Sequence, residues 1–155
     1  MVSPSKLLGV KTAWIANALG YNFWECRMID HLTIFVADFG AARVFYAGAL
    51  APLGYEILRD YPVGHPTRGP MTGFGAGGKP DFWIAPGGPV RPRLHIAFAA
   101  ESRAAVDAFH AAALAAGATD NGAPGLRPIY HVGYYGAFVI DLEGHNLEAV
   151  CHRPK

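Results

Sequence analysis

Apolar and polar residues alternate over 29–37. Leu32, Ile34 and Val36 fall on one side, and His31, Thr33, Phe35 and Ala37 on the other, the period of a half-buried β-strand. Asp38 then stands as a helix N-cap. Val44, Phe45 and Leu50 recur at helical spacing over 41–50, and Pro52 ends that helix. Residues 54–59 read as a second strand, the Pro/Gly-rich stretch 62–70 as a loop, and 71–75 and 81–85 as two short strands. The linker PGGPVRP at 86–92 closes this first set.

The same order recurs beyond the linker. Residues 93–99 alternate, with Leu94, Ile96 and Phe98 on one face and His95, Ala97 and Ala99 on the other. Ser102 caps an Ala-rich helix over 103–116 that Gly117 stops. The stretch 121–128 reads as a long loop. Strands follow over 137–142 and 146–151, joined by a tight turn at Glu143-Gly144. The recurrence keeps register: HLTIFVAD at 31–38 lies over HIAFAAES at 95–102, and FYAGALA at 45–51 over FHAAALA at 109–115, at one constant offset. A strand–helix unit repeated in register indicates two copies of one module. Strands and helices are segregated within each copy, which predicts an α+β fold of two βαβββ modules, 28–88 and 92–152, in a single domain. Residues 1–27 are expected to be an appendage, because Asn17, Gly20 and Asn22 interrupt their apolar patch at Ala13-Trp14-Ile15-Ala16.

Alternation also sorts the chemistry. The aliphatic face of each strand must cover the helices, so the opposite face lines whatever the sheet curls around. His31 and His95 lie on that opposite face, and in the last strand Asn146, Glu148 and Val150 do too. Two imidazoles and a carboxylate projecting from three strands make a two-His, one-carboxylate triad, suited to Fe(II), Mn(II) or a similar divalent ion, with open positions for substrate. A structural ion pair of Glu148 with Arg93 or Arg127 is the alternative. The aromatic run 129–136 puts Tyr130, His131, Tyr134 and Tyr135 near the entry to the seventh strand. There they either reach a ligand or pack over the mouth of the sheet. Elsewhere, His145 is expected to be exposed after its turn glycine, His110 to lie on a helix surface or pack there, and His65 and His152 to sit in a loop and a tail.

Composition narrows the classes. The 155 residues are 52% hydrophobic and 16% charged, enough apolar content for a sizeable core. The net charge is +1 with no Lys/Arg run, so a nucleic-acid partner is not expected. No apolar run reaches bilayer-spanning length. Two cysteines without CxxC spacing suggest neither a zinc knuckle nor a disulfide framework, and point to the cytoplasm.

With these motifs in hand, the chain resembles the vicinal oxygen chelate superfamily, which includes glyoxalase I, extradiol dioxygenases, and fosfomycin- and bleomycin-resistance proteins. The resemblance rests on Asp30-His31 opening the first strand, on Arg43-Val44-Phe45-Tyr46 leading to Leu53-Gly54-Tyr55, and above all on the ending FVIDLEGHNLE at 138–148. It implies paired modules curling into a cup-shaped, partly closed mixed β-sheet, helices on the outer face, often in a homodimer. It places the metal ligands at His31, His95 and Glu148. The fourth ligand of glyoxalase I falls on Trp83, which cannot coordinate a metal, and this departure turns the reading away from glyoxalase I.

The resulting expectation is a metal-dependent dioxygenase- or lyase-like enzyme for a small catecholic or α-hydroxycarbonyl substrate. Fe(II) or Mn(II) is the expected ion, with Zn or Ni possible. His131, Tyr130 or Tyr135 would transfer protons, and Phe35, Trp83, Tyr134 and Arg127 would contact substrate. The competing expectation is a non-enzymatic binder of a planar hydrophobic compound, with the Trp83 indole as its stacking surface.

Overall fold

The computed structural model describes residues 29–66, 69–88 and 91–153; the appendage expected over 1–27 lies outside them. The first module runs β1 (Leu32–Val36), α1 (Phe39–Leu50), a 3₁₀ turn (Ala51–Leu53), β2 (Glu56–Tyr61), β3 (Met71–Gly75) and β4 (Phe82–Pro86). The second runs β5 (His95–Ala99), α2 (Arg103–Ala115), β6 (Thr119–Leu126), β7 (Tyr135–Ile140) and β8 (Asn146–Cys151). Each module makes one four-stranded mixed sheet, ordered β1-β4-β3-β2 and β5-β8-β7-β6. The first strand of each pairs parallel with the last. The fold is α+β with two modules, and the two sheets do not close into a barrel.

Both helices start at the expected caps. The Asp38 carboxylate accepts from the Ala41 amide and the Ser102 hydroxyl from the Ala105 amide, satisfying N–H groups that the first helical turn leaves without partners. The buried face of α1 is Ala42, Phe45, Tyr46, Ala49 and Leu50, a stripe at i, i+3, i+4, i+7. Val44 falls outside that stripe and is 69% exposed, so it does not join the core as its spacing had suggested.

One apolar core serves both modules. Ile34, Phe74, Phe82 and Ile84 from the first sheet join Phe98, Val139, Leu147 and Ala149 from the second, with Phe45 and Phe109 from the helices. Phe98 meets Phe82 and Tyr55 edge-on at 5.5 and 5.7 Å. The helices approach closely where α1 carries Gly48: a methyl group there would lie 3.7 Å from the Ala116 side chain.

The stretch expected as a loop over 121–128 is largely β6. Its pairing with β7 shifts register between Asp120 and Gly122 and again between Gly122 and Gly125. Gly122 has φ +150°, and a Cβ there would sit 3.1 Å from the Phe138 ring. The glycines that make this segment read as a loop are what allow a bulged edge strand to form. His145, expected to be exposed, is fully buried. Its Nδ1 accepts the Leu94 amide at 3.2 Å, and its own amide donates to Asp141 Oδ1 at 2.7 Å. Among the described residues, no helix is long and apolar enough to cross a membrane.

Candidate functional site

Strand β8 lies between β5 and β7, so Glu148 sits opposite Ala97 on one side and Phe138 on the other. A central strand buries both faces, and Glu148 is only 2% exposed. Room for its carboxylate comes from Gly136 on β7: a Cβ there would stand 3.0 Å from Glu148 Oε1. The Tyr134 hydroxyl donates to Oε1, and His95 Nε2 lies 3.1 Å from Oε2. Neither arginine considered for an ion pair with Glu148 makes one. The Arg127 guanidinium donates to the Ala123 carbonyl at 2.6 Å and lies over the Phe138 ring at 5.6 Å.

A buried carboxylate without a basic side chain other than an imidazole is an anionic donor poised for a cation. Desolvation, and then the hydrogen bond to Glu148, push the Tyr134 phenol well above its ordinary range, so it stays protonated and donating. Beyond His95 the network continues. Asn146 Nδ2 donates to His95 Nδ1 at 2.6 Å, and Asn121 Nδ2 donates to Asn146 Oδ1 at 3.0 Å. Because His95 Nδ1 accepts, its proton is on Nε2, directed at Glu148. Next to this chain is a cavity of about 380 Å³ lined by Arg93, Leu94, His95, Asn121 and Asn146. Alternation had placed Asn146 beside Glu148. Asn121 carried no signal, because its segment reads as a loop.

His31 stands immediately ahead of β1, in the other sheet. Strands β1 and β5, which the two histidines open, are both edge strands of separate sheets. Among the described residues no group of three or more His, Cys, Asp or Glu is placed to hold a metal ion. One chain therefore brings His95 and Glu148 together without His31. The donors fit a divalent cation chemically once His95 gives up its Nε2 proton: Nε2 and a Glu148 oxygen would bind the same ion, the imidazole proton would sit on Nδ1, and the Asn146 amide would turn to accept it through Oδ1.

The expected proton-transfer residues separate. Tyr130 packs against Tyr134 with ring centroids 4.9 Å apart. His131 Nε2 lies 3.1 Å from His152 Nδ1, and both rings meet Tyr134 edge-on at 5.2 and 5.1 Å. These three form a cluster behind the phenol that holds Glu148. Tyr135 points the other way: its hydroxyl donates to Asp107 on α2 at 2.7 Å, and Arg103 stands over its ring. It pairs with Cys151 in register and so shares the helix-facing side of β7.

On the first sheet, Trp83 lies flat over Gly73, where a Cβ would be 2.8 Å from the indole. Tyr61 is nearly parallel to it at 6.4 Å. Phe35, 48% exposed, sits two residues beyond Thr33, the register partner of Trp83. The face opposite the core of this sheet is therefore aromatic.

A sequence-family model described as the glyoxalase/bleomycin resistance protein/dioxygenase superfamily matches residues 28–149. Among solved structures, a glyoxalase/bleomycin resistance protein from Albidiferax ferrireducens T118 is 26% identical with a TM-score of 0.63, over 83% of this chain and 100% of that one. A glyoxalase/bleomycin resistance protein/dioxygenase family enzyme from Burkholderia phytofirmans PsJN is 21% identical with a TM-score of 0.59, over 81% and 98%. A fosfomycin resistance protein from Listeria monocytogenes is 20% identical with a TM-score of 0.57, over 78% and 89%. No curated protein matches the chain.

Proposed function

Because the chain belongs to the glyoxalase/bleomycin resistance protein/dioxygenase superfamily, we propose that it is a divalent-metal-dependent enzyme for a small oxygen-bearing substrate, with each site shared between two copies of the chain. In this reading His95 and Glu148 of one copy and His31 of a second hold the ion, Fe(II) or Mn(II) by donor type, with Zn or Ni as alternatives. The observation that carries it is Glu148, a 2%-exposed carboxylate whose partners among the described residues are His95 and Tyr134. The homodimer is supported by the placement of the two histidines at edge strands of separate sheets and by the exposed row His95, Ala97 and Ala99 on β5. A buried free thiol at Cys151 suits a reducing cytoplasm.

When bound, such an ion supplies Lewis-acid polarisation of two chelating substrate oxygens, as in a catechol or an α-hydroxycarbonyl. The chain's own residues do the remaining work. Tyr134 keeps its proton and holds Glu148 in place. Asn146 anchors the rear nitrogen of His95. The His131–His152 pair lies behind Tyr134 within reach of solvent, so a proton leaving substrate has imidazoles nearby to accept it. Dioxygenase- or lyase-like chemistry fits this set better than a glyoxalase I reaction, whose fourth ligand position is occupied by Trp83.

A second reading has its own observation. The flat indole of Trp83 with Tyr61 parallel to it and Phe35 nearby is a stacking surface for a planar ligand, as a non-enzymatic binder would use.

Metal analysis of protein purified without chelators separates the two. About one equivalent per chain, lost in both His31→Ala and Glu148→Ala, is expected for the three-ligand centre. Co-expressing the two variants then restores metal to heterodimers, because one of their two sites keeps all three ligands. Wild-type protein that stays metal-free after anaerobic incubation with Fe(II) or Mn(II) sinks the enzyme reading. Absence of recovery in the mixed variants sinks the shared site.

A further inference from the structure

The cavity beside His95 is polar. Four of its five lining residues, Arg93, His95, Asn121 and Asn146, carry polar side chains, and no carboxylate lines it. Among the described residues Arg93 has no ion-pair partner, whereas Arg127 is taken up by the Ala123 and Leu126 carbonyls. The amide chain has a direction: Asn121 donates to Asn146, Asn146 to His95, and His95 to Glu148. A chain of donors that ends on a buried carboxylate is polarised toward that charge. Each amide nitrogen still has a second N–H, and Arg93 brings a fork of N–H donors beside them.

We infer that this cavity is an oxyanion subsite, in which Arg93 and the outer N–H groups of Asn121 and Asn146 bind the carboxylate or phosphonate-type group of an acidic substrate. Bidentate guanidinium contact plus neutral amide donors is the set that recognises such groups. A volume of about 380 Å³ is enough to seat a small acid. Because His95 forms one wall, an acid seated there has its remaining oxygens next to the His95–Glu148 pair. The subsite thus deepens the metal-centre reading by naming the substrate as a small acid. It does not depend on that reading for anion binding itself, since none of its donors is a metal-bound group apart from the wall at His95.

The test is a titration of full-length, chelator-treated ¹⁵N-labelled protein with inorganic phosphate and then methylphosphonate, following the Asn121 and Asn146 side-chain amide signals. Saturable shifts of both are expected. Arg93→Ala weakens binding by about tenfold or more, as expected for loss of a charge-assisted contact. Arg93→Lys recovers part of the loss, and Arg43→Ala, at a residue paired with Asp60 in the first module, leaves binding unchanged. Melting curves show that each variant is folded. Absence of saturable shifts in the wild type, or equal affinity in Arg93→Ala, overturns the subsite. His31→Ala keeps the two proposals apart: it removes the metal centre and leaves phosphate binding intact. Metal binding without anion binding retains the centre and discards the subsite.

Discussion

Tyr46, buried on α1 of the first module, donates its hydroxyl to Asp141 at the end of β7 in the second. The same carboxylate accepts the backbone amides of Glu143 and His145 through its other oxygen. One side chain therefore shapes the β7–β8 turn that leads into Glu148 and joins the two modules through their core. A second link runs nearby, from the Ala37 amide to Glu143 Oε1 at 2.7 Å.

Tyr46→Phe leaves Asp141 Oδ2 buried without its donor and should cost about 1–3 kcal/mol. Burial, followed by the charges of Asp141 and Glu143, pushes the Tyr46 phenol far above its ordinary value. A group raised in the folded state contributes stability fully present below its unfolded pKa, about 10 for a tyrosine, and lost as pH rises through the folded value. Melting temperature should therefore fall above about pH 10 more steeply in the wild type than in Tyr46→Phe. Parallel slopes would refute this assignment.

His145→Ala strands the Leu94 amide and opens a cavity in a site with no solvent access. The expected loss is about 2–4 kcal/mol in chemical denaturation. A loss below about 0.5 kcal/mol, the usual range for a surface substitution, would mean the ring is not buried in solution.

Gly73→Ala places a methyl group 2.8–2.9 Å from three atoms of the Trp83 indole. A rigid ring over backbone has to tilt, at about 1–3 kcal/mol. The indole N–H resonance of Trp83 should move. An unmoved Trp83 signal would show that the indole does not lie on that glycine.

Asn146→Ala removes the partner at His95 Nδ1. If His95 and Glu148 belong to the proposed metal centre, affinity for Mn(II) or Fe(II) should drop about tenfold or more, as for loss of an orienting hydrogen bond. Calorimetric titration reads this without any assay of turnover. Unchanged affinity would assign Asn146 to the oxyanion cavity alone.

Much of the fold was legible because the signals are local. Asp38 and Ser102 cap the two helices where they stand in the chain, since an N-cap acts within its own first turn. Alternation put Glu148 opposite the face of Leu147 and Ala149, and the structure brings it to His95. Segment 121–128 reads as a loop because Gly122, Pro124 and Gly125 carry that composition, while pairing with β7 makes residues up to Leu126 part of a strand. His145 follows a turn glycine, a surface signal, but its ring is drawn inward by an amide fifty-one positions earlier.

What the sequence determined by itself is the side of each strand on which a residue lies. That side follows from a period of two along the backbone, which needs no knowledge of neighbours. It therefore set His31, His95, Asn146 and Glu148 off the aliphatic faces and repeated the module in register. Which faces meet was decided only in three dimensions. Strand pairing put Glu148 between β5 and β7, the shared core bound the modules through their helices, and His31 stayed ahead of β1, whose sheet is separate from that of His95. Such contacts depend on loop closure and burial across distant segments, and no local pattern encodes them.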